Sequence, residues 1–289
     1  MTGLGSKNPA VQHLRRLSRR RSARTDSGSF VIDGPVLVAE ALDAGLHLDS
    51  VYVELGEDGT LPDDVATVAA RAFAAGVTRH ELAPRVLSGA VDTVTAHGIA
   101  AIARTVAVTL TSALSLPARI RSGAGENGGE PGPVLVLAGV GDPGNAGTLL
   151  RSAEAAGVRA VIATTGSVDL FAPKTVRASA GSLFRVPVVV GVDAGAVVDG
   201  LRAAGVVSIG TASGARRSYE ESDLTRPVAI VLGNEAHGLD AVVADAVTEL
   251  VRIPMEGGVE SLNVAMAGTL LVFEAARQRR QAGTVRPDA

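Results

Sequence analysis

The chain has 289 residues, 46% of them hydrophobic, with 34 glycines and no cysteine. This composition excludes a disordered or fibrous protein and leaves length for two domains of ordinary size. It also removes disulfides, thiolate metal sites and cysteine nucleophiles, and fits a reducing cytoplasm, the expected location. Met1-Thr2-Gly3-Leu4-Gly5 leads into no apolar signal region, and no later apolar run reaches the roughly 18 residues that span a bilayer.

A net charge of −3 hides a marked polarity. Residues 1–25 hold Lys7, Arg15, Arg16, Arg19, Arg20, Arg21 and Arg24 and no acid, a local +7 that leaves −10 on the rest of the chain. Local potential steers a polyanion more than net charge does, so the arginine cluster is a candidate phosphate-binding face; the competing reading is a solvated basic helix. Only 2% of residues are aromatic, which disfavours a broad base-stacking platform.

In chain order, Asn8 to Arg24 reads as a basic helix, Phe30-Val31-Ile32 as a strand, and Pro35 to Ala44 as a helix with proline at its start and Gly45 past its end. Leu48 to Val53 reads as a strand, Pro62 to Ala75 as a helix closed by Gly76, and Ile99 to Leu110 contains a further apolar strand run. This alternation predicts a small α/β domain over 1–112 with a parallel or mixed sheet. Residues 113–133 form the expected linker, since Arg121 to Pro133 has five glycines and two prolines and no hydrophobic period.

A second, open α/β domain is expected over 134–289. Its strands are Val134 to Ala138, Ala160 to Thr164, Val186 to Val190, Val206 to Gly210, Val228 to Leu232 and Leu250 to Ile253. Helices are expected over Ala146 to Ala156, around Thr175, over Ala194 to Ala204 and from Ser261 to about Arg280. The last is so apolar that it should be buried nearly all round, with Ala265, Ala267 and Gly268 admitting a second backbone.

Three loops carry the polar residues. The first, Gly139-Val140-Gly141-Asp142-Pro143-Gly144-Asn145, satisfies GxGxxG between a strand and a helix, with Arg151 following. A nicotinamide cofactor is nonetheless disfavoured: the ribose-binding acid belongs near the end of the next strand, and Ala160 to Thr165 ends in threonines. The second, Leu232-Gly233-Asn234-Glu235-Ala236-His237-Gly238, places a carboxylate just beyond a strand's C-terminal end, where open sheets put ligands. The third, Ile253-Pro254-Met255 through Ser261-Leu262-Asn263, leads into the apolar helix. Taken singly, Asn145 and Ser261 read as helix caps, Arg151 as a surface arginine and Glu235 as a solvated turn residue; capping by Ser261 leaves Asn263 unexplained.

Together, in order and spelling, these loops resemble the SpoU (TrmH) family of RNA ribose 2′-O-methyltransferases within the SPOUT superfamily. The family's motifs appear as Asp142-Pro143-Gly144-Asn145 with Arg151, as Leu232-Gly233-Asn234-Glu235 with Gly238, and as Ile253-Pro254-Met255 with Ser261-Leu262-Asn263. Lys174 to Phe184 is similar to the segment between the first two motifs. More loosely, Lys7-Asn8-Pro9 and Phe30 to Gly34 resemble the substrate-binding domain of members that act on ribosomal RNA.

The resemblance implies a C-terminal α/β domain with a deep trefoil knot and a smaller N-terminal α/β RNA-binding domain. It implies S-adenosylmethionine as methyl donor, held by Gly233, Ile253 and Leu262 with Thr211 and Met255 as further loop contacts. Arg151 is implied as the group that activates the 2′-hydroxyl across a homodimer interface, either as a base in shifted surroundings or by holding the target phosphate and ribose while water or phosphate takes the proton, and Asn145, Glu235, Ser261 and Asn263 as the groups that position ribose, Arg151 and the methionine moiety. No metal is needed for that chemistry. RNA would dock on Arg15, Arg16, Arg19, Arg20, Arg21 and Arg24. Ribosomal RNA is the expected substrate; transfer RNA is the alternative within the enzyme reading, and a non-catalytic knotted RNA-binding dimer is the alternative outside it.

Overall fold

A computed structural model describes residues 3–92, 97–115 and 132–284, so most of the expected linker lies outside the described residues. The chain divides into two compact units, Met1–Val106 with Asp169–Arg185, and Ala107–Val168 with Val186–Ala289.

The first unit begins with α1 (Pro9–Arg19), whose start is set by Pro9 and by the Asn8 side chain accepting from the Ala10 N–H. Arg20 is extended and breaks the expected single helix, and α2 (Arg21–Ser27) follows, closed by Gly28 at φ 61°. Then come β1 (Ser29–Asp33), α3 (Pro35–Asp43), β2 (Leu48–Glu54), α4 (Asp63–Ala74), β3 (Thr78–Leu82), α5 (Val86–Ala90) and β4 (Ile99–Arg104). The sheet order is β1-β4-β2-β3, with β4 antiparallel to both its neighbours and β2 parallel to β3. Val11, Leu14 and Leu17 of α1 bury against Val31, Tyr52 and Ile102, which turns the guanidinium-bearing side of the helix outward.

The second unit holds α6 (Leu110–Ser115), β5 (Val134–Leu137), α7 (Pro143–Ala156) and β6 (Ala160–Thr164). The chain then runs through Asp169–Arg185, which carries α8 (Pro173–Ala178) and packs with the first unit, where Phe171 and Phe184 lie 5.1 and 6.3 Å from the Phe30 ring. It returns through β7 (Val188–Val192), α9 (Ala194–Ala203), β8 (Val207–Thr211), β9 (Arg217–Ser218), β10 (Val228–Leu232), α10 (Ala241–Ala246), β11 (Glu249–Arg252) and α11 (Val264–Thr284). All seven strands are parallel, in the order β7-β6-β5-β10-β8-β11-β9. Val134 to Leu137, Ala160 to Thr164 and Val228 to Leu232 are buried throughout, as strands covered on both faces must be. Among the described residues no helix is long and apolar enough to cross a membrane.

Helix α11 differs from the sequence expectation. It begins at Val264 and is capped by Asn263, whose Oδ1 accepts from the N–H groups of Ala265 and Met266 at 2.8 and 3.3 Å, so the cap is Asn263 and not Ser261. Nor is it buried all round: Ala265, Leu271, Val272 and Ala275 are interior, while Met266, Leu270 and Phe273 form an exposed stripe at 58%, 40% and 43% accessibility. Its inner face sits close because of Gly268, where a Cβ would lie 2.4 Å from Leu149 Cδ2 and 2.5 Å from Leu232 Cδ1.

Arg24 corrects the expected arginine face. It is buried, donates to both Leu17 and Ser18 carbonyls, and pairs with Asp169 at 2.7 Å inside the first unit. A cation whose donors are spent on the interior does not reach phosphate. Arg24→Ala, by stranding Asp169, should destabilise the protein by about 3 kcal/mol, whereas Arg20→Ala, at the surface, should change it by less than about 0.5 kcal/mol. Urea denaturation of the two variants checks the difference.

Candidate active site

In a parallel sheet every strand ends on the same edge, and loops leaving adjacent strands meet there. The loops after β5, β8, β10 and β11 do so. At Gly139, φ is 90°, a conformation that favours glycine, and both sides of the residue are held: its N–H donates to Ser167 Oγ at 3.0 Å, and its carbonyl accepts from Asn234 Nδ2 at 3.0 Å. One residue on, the Val140 carbonyl accepts from the Val168 N–H at 2.9 Å.

Glu235 binds the next part of this loop. Its Oε2 accepts from the Gly141 N–H, and its Oε1 accepts from the Asp142 N–H and from Asn145 Nδ2, each at 3.0 Å. Asn145 Oδ1 in turn accepts from Asn263 Nδ2 at 2.9 Å. A continuous chain, Glu235 to Asn145 to Asn263, thus joins residues from all three loops. Desolvation by itself would raise the Glu235 pKa, but the bonds from Asn145, Gly141 and Asp142 favour the anion and pull it down to about 2. Asp142 Oδ1 caps α7 by accepting from the Asn145 N–H at 2.7 Å, so Asn145 sits in the first turn of the helix and not at its cap.

Beside this chain lies a cavity of about 640 Å³. Thr211, Gly233, Ile253, Met255 and Leu262 all line it, as do Glu235 and Ser261; Asn145, Arg151 and Asn263 are not among the lining residues. The volume falls within the roughly 300–1,000 Å³ of small-molecule sites. Gly233 shapes one wall by letting the loop fold back: a Cβ there would lie 2.1 Å from the Gly238 carbonyl carbon, and the Asn234 and Gly238 backbones exchange two hydrogen bonds of 2.8 and 2.9 Å. Main chain at Gly233 and the apolar side chains of Ile253 and Leu262 together form a lining that suits an adenine ring, read by backbone donors and acceptors and packed by aliphatic carbon.

Arg151 stands on α7 at the solvent surface with no hydrogen-bond or ion-pair partner among the described residues. In the first unit, Arg15 and Arg19 both donate to the Gly89 carbonyl, at 3.0 and 3.2 Å, and Arg16, Arg19, Arg20 and Arg21 are exposed.

Two family profiles match, that of the SpoU rRNA Methylase family over residues 132–273 and that of the MRM3-like substrate binding domain over residues 8–101. The chain is 32% identical to the 23S rRNA (guanosine(2553)-2′-O)-methyltransferase RlmP of Bacillus subtilis over 268 residues, 93% of this chain and 96% of RlmP. The chain belongs to the SpoU family. It is also 35% identical over 231 residues to the 23S rRNA (guanosine-2′-O-)-methyltransferase RlmB of Xanthomonas axonopodis, covering 80% of this chain and 90% of that one. Among solved structures, the AdoMet-bound rRNA methyltransferase of Sinorhizobium meliloti superposes with a TM-score of 0.78 at 30% identity, over 96% and 97% of the two chains. The AdoMet complex of the SpoU methyltransferase AviRb from Streptomyces viridochromogenes gives 0.77 at 27% identity, over 95% and 100%. The fold is therefore that of the SpoU methyltransferases, an α/β architecture with a smaller N-terminal domain.

Three residues of this SpoU site carry no assigned role in the sequence reading, although Asp142 and Asn234 fall within its motifs. Asn234 ties the second loop to the first, Asp142 caps α7, and Ser167 holds Gly139. Asn and Asp beside glycine are turn signals in general, which points to Asn234 and Asp142 but leaves Ser167 indistinguishable from any polar loop residue.

The depressed Glu235 pKa has a stability consequence. Below about pH 2 the carboxyl is protonated in both folded and unfolded states, while above the usual carboxylate range near 4.5 the folded anion keeps its full advantage. Wild type should lose this contribution as pH falls from about 4.5 toward 2, and Glu235→Gln should not. Melting temperatures of the two proteins, well separated at neutral pH, are expected to converge across that window.

Proposed function

We propose that this protein transfers the methyl group of S-adenosylmethionine to a ribose 2′-hydroxyl of 23S ribosomal RNA, and that it works in the cytoplasm. The observation that carries the reading is the hydrogen-bonded chain Glu235–Asn145–Asn263 set beside a cavity lined by Thr211, Gly233, Ile253, Met255 and Leu262. The names of full-length relatives RlmP and RlmB support ribosomal RNA over transfer RNA, and the AdoMet-bound neighbours support the cofactor.

When bound, the cofactor supplies a methyl already activated by its sulfonium. The protein's tasks are to remove a proton from a neutral hydroxyl and to align its oxygen. Arg151 is assigned to the hydroxyl. A guanidinium stays protonated, so its contribution is electrostatic: it lowers the cost of the developing alkoxide while the proton passes to water. Asn145 and Asn263 hold the start of α7 against the start of α11, and Glu235 fixes the loop from which α7 springs. Ser261, at the cavity wall, is assigned to the methionine moiety.

We further assign a trefoil knot and a homodimer. The close packing of α11 through Gly268 on Leu149 and Leu232, and the meeting of the loops after β10 and β11 at one cavity, support a threaded C-terminal segment. The exposed Met266–Leu270–Phe273 stripe is an apolar face of the kind buried between subunits, with Arg151 then serving the partner's site. The domain assignment is 1–112 for RNA docking, 113–133 for the linker and 134–289 for transfer, except that Asp169–Arg185 packs with the first unit and 107–115 with the second.

With labelled S-adenosylmethionine and 23S rRNA, wild type should transfer label and Arg151→Ala should lose about 100-fold or more in rate with cofactor affinity unchanged. Leu270→Asp should sediment as a monomer and lose transfer likewise. Tight cofactor binding with no transfer to ribosomal RNA would leave a binding module instead. Replacing Arg16, Arg19 and Arg20 with alanine should weaken RNA binding and lower the slope of log affinity against log salt by about two units; an unchanged slope removes the docking assignment.

A further inference from the structure

We infer that Ser167 is a positioning residue for methyl transfer. The inference rests on the assignment of Arg151 to the ribose hydroxyl.

Ser167 lies in the turn after β6, remote in sequence from all three polar loops, and is 3% accessible. Its hydroxyl donates to the Leu137 carbonyl at 2.7 Å and accepts from the Gly139 N–H at 3.0 Å. Leu137 is the last residue of β5, and Gly139 is the left-handed residue where the chain turns out of the sheet toward Asp142 and Asn145. One oxygen therefore holds both sides of the bend that launches α7. The hydroxyl suits this place because it donates and accepts at once, which an alanine or a valine cannot do. The adjacent residue adds a second tie, Val168 N–H to the Val140 carbonyl at 2.9 Å.

From the opposite side the loop is held by Asn234 on the Gly139 carbonyl and Glu235 on the Gly141 and Asp142 N–H groups. Loss of the Ser167 contact frees the Gly139 amide and leaves only the Val168–Val140 backbone bond on its own side. Asn145 and Arg151, carried on α7, then lose their fixed direction. None of the cavity's lining residues comes from 137–151, and Asn234 and Glu235, which line it and bond to the bend, keep those bonds when the Ser167 hydroxyl is removed. Ser167 accordingly governs alignment of the hydroxyl and not binding of the cofactor.

Thr164 provides the matched control. Its Oγ1 also donates to the Leu137 carbonyl, at 3.2 Å, lies 3.4 Å from the Ser167 hydroxyl and is equally buried, but it makes no bond to Gly139, so its loss leaves the Ser167–Gly139 and Ser167–Leu137 bonds in place. Ser167→Ala should lower kcat for RNA methylation roughly ten- to hundredfold, as small misalignment of reacting groups does, with the Kd for S-adenosylmethionine and the KM for RNA within twofold of wild type. Thr164→Val should lose less than threefold in kcat with a similar change in melting temperature, and Ser167→Thr, which retains the hydroxyl, should recover most of the lost rate. Equal kcat losses for Ser167→Ala and Thr164→Val, or a loss of cofactor affinity in Ser167→Ala, would overturn the inference and leave a structural role. If Arg151→Ala itself methylates normally, the assignment beneath the inference fails; if Arg151→Ala is inactive and Ser167→Ala is not, only the inference fails.

Discussion

The Glu235 carboxylate is the knot of hydrogen bonds on which the site depends. It accepts three N–H groups from the loop after β5 while belonging to the loop after β10, and through Asn145 it reaches the residue that caps α11. A neutral side chain could accept some of these bonds, but an anion is worth roughly twice as much to each donor. That surplus outweighs the desolvation of the charge, which is why the carboxyl is held so far toward its ionised form. The same group thus ties residues about ninety positions apart.

Glycines make the tie geometrically possible at two places. Gly233 lets the second loop return onto its own start, with Gly238 only 2.1 Å from where a Cβ would be. Gly268 lets α11 settle onto Leu149 and Leu232, bringing its Asn263 cap within reach of Asn145. Backbone closeness in the sheet layer and polar closeness at the loop layer are therefore one arrangement: if α11 stood off by a methyl group, the Asn145–Asn263 bond of 2.9 Å would open.

Much of this was legible in the sequence, and the failures have particular causes. The strands Ala160 to Thr164 and Val228 to Leu232 announce themselves as apolar runs because parallel strands are buried on both faces. The turn residues around Asp142 and Asn234 mark the loops, and their joint spelling gives the family. β3 goes unmarked because Thr-Arg-His-Glu-Leu is an edge strand, exposed at Thr78 and Arg79 and only half-buried at His80 and Glu81, so no apolar run marks it. Arg24 was grouped with its basic neighbours because its partner, Asp169, lies 145 positions away and only the fold brings them together. Composition also misjudged α11: it counts apolar residues without saying which side they face, and the stripe Met266, Leu270 and Phe273 is apolar and yet exposed.

The arrangement serves two tasks. The cavity is lined by the loops after β8, β10 and β11, where main chain and aliphatic carbon stand beside polar side chains such as Asn234, Glu235 and Ser261. The start of α7 is held by Ser167 and Asn263, which do not line the cavity, and by Asn234 and Glu235, which do. Interactions that bind the ground state lower KM, whereas those that align the reacting oxygen raise kcat. A helix held in part by residues clear of the cavity, Ser167 and Asn263, can be realigned there with the cavity walls left as they are.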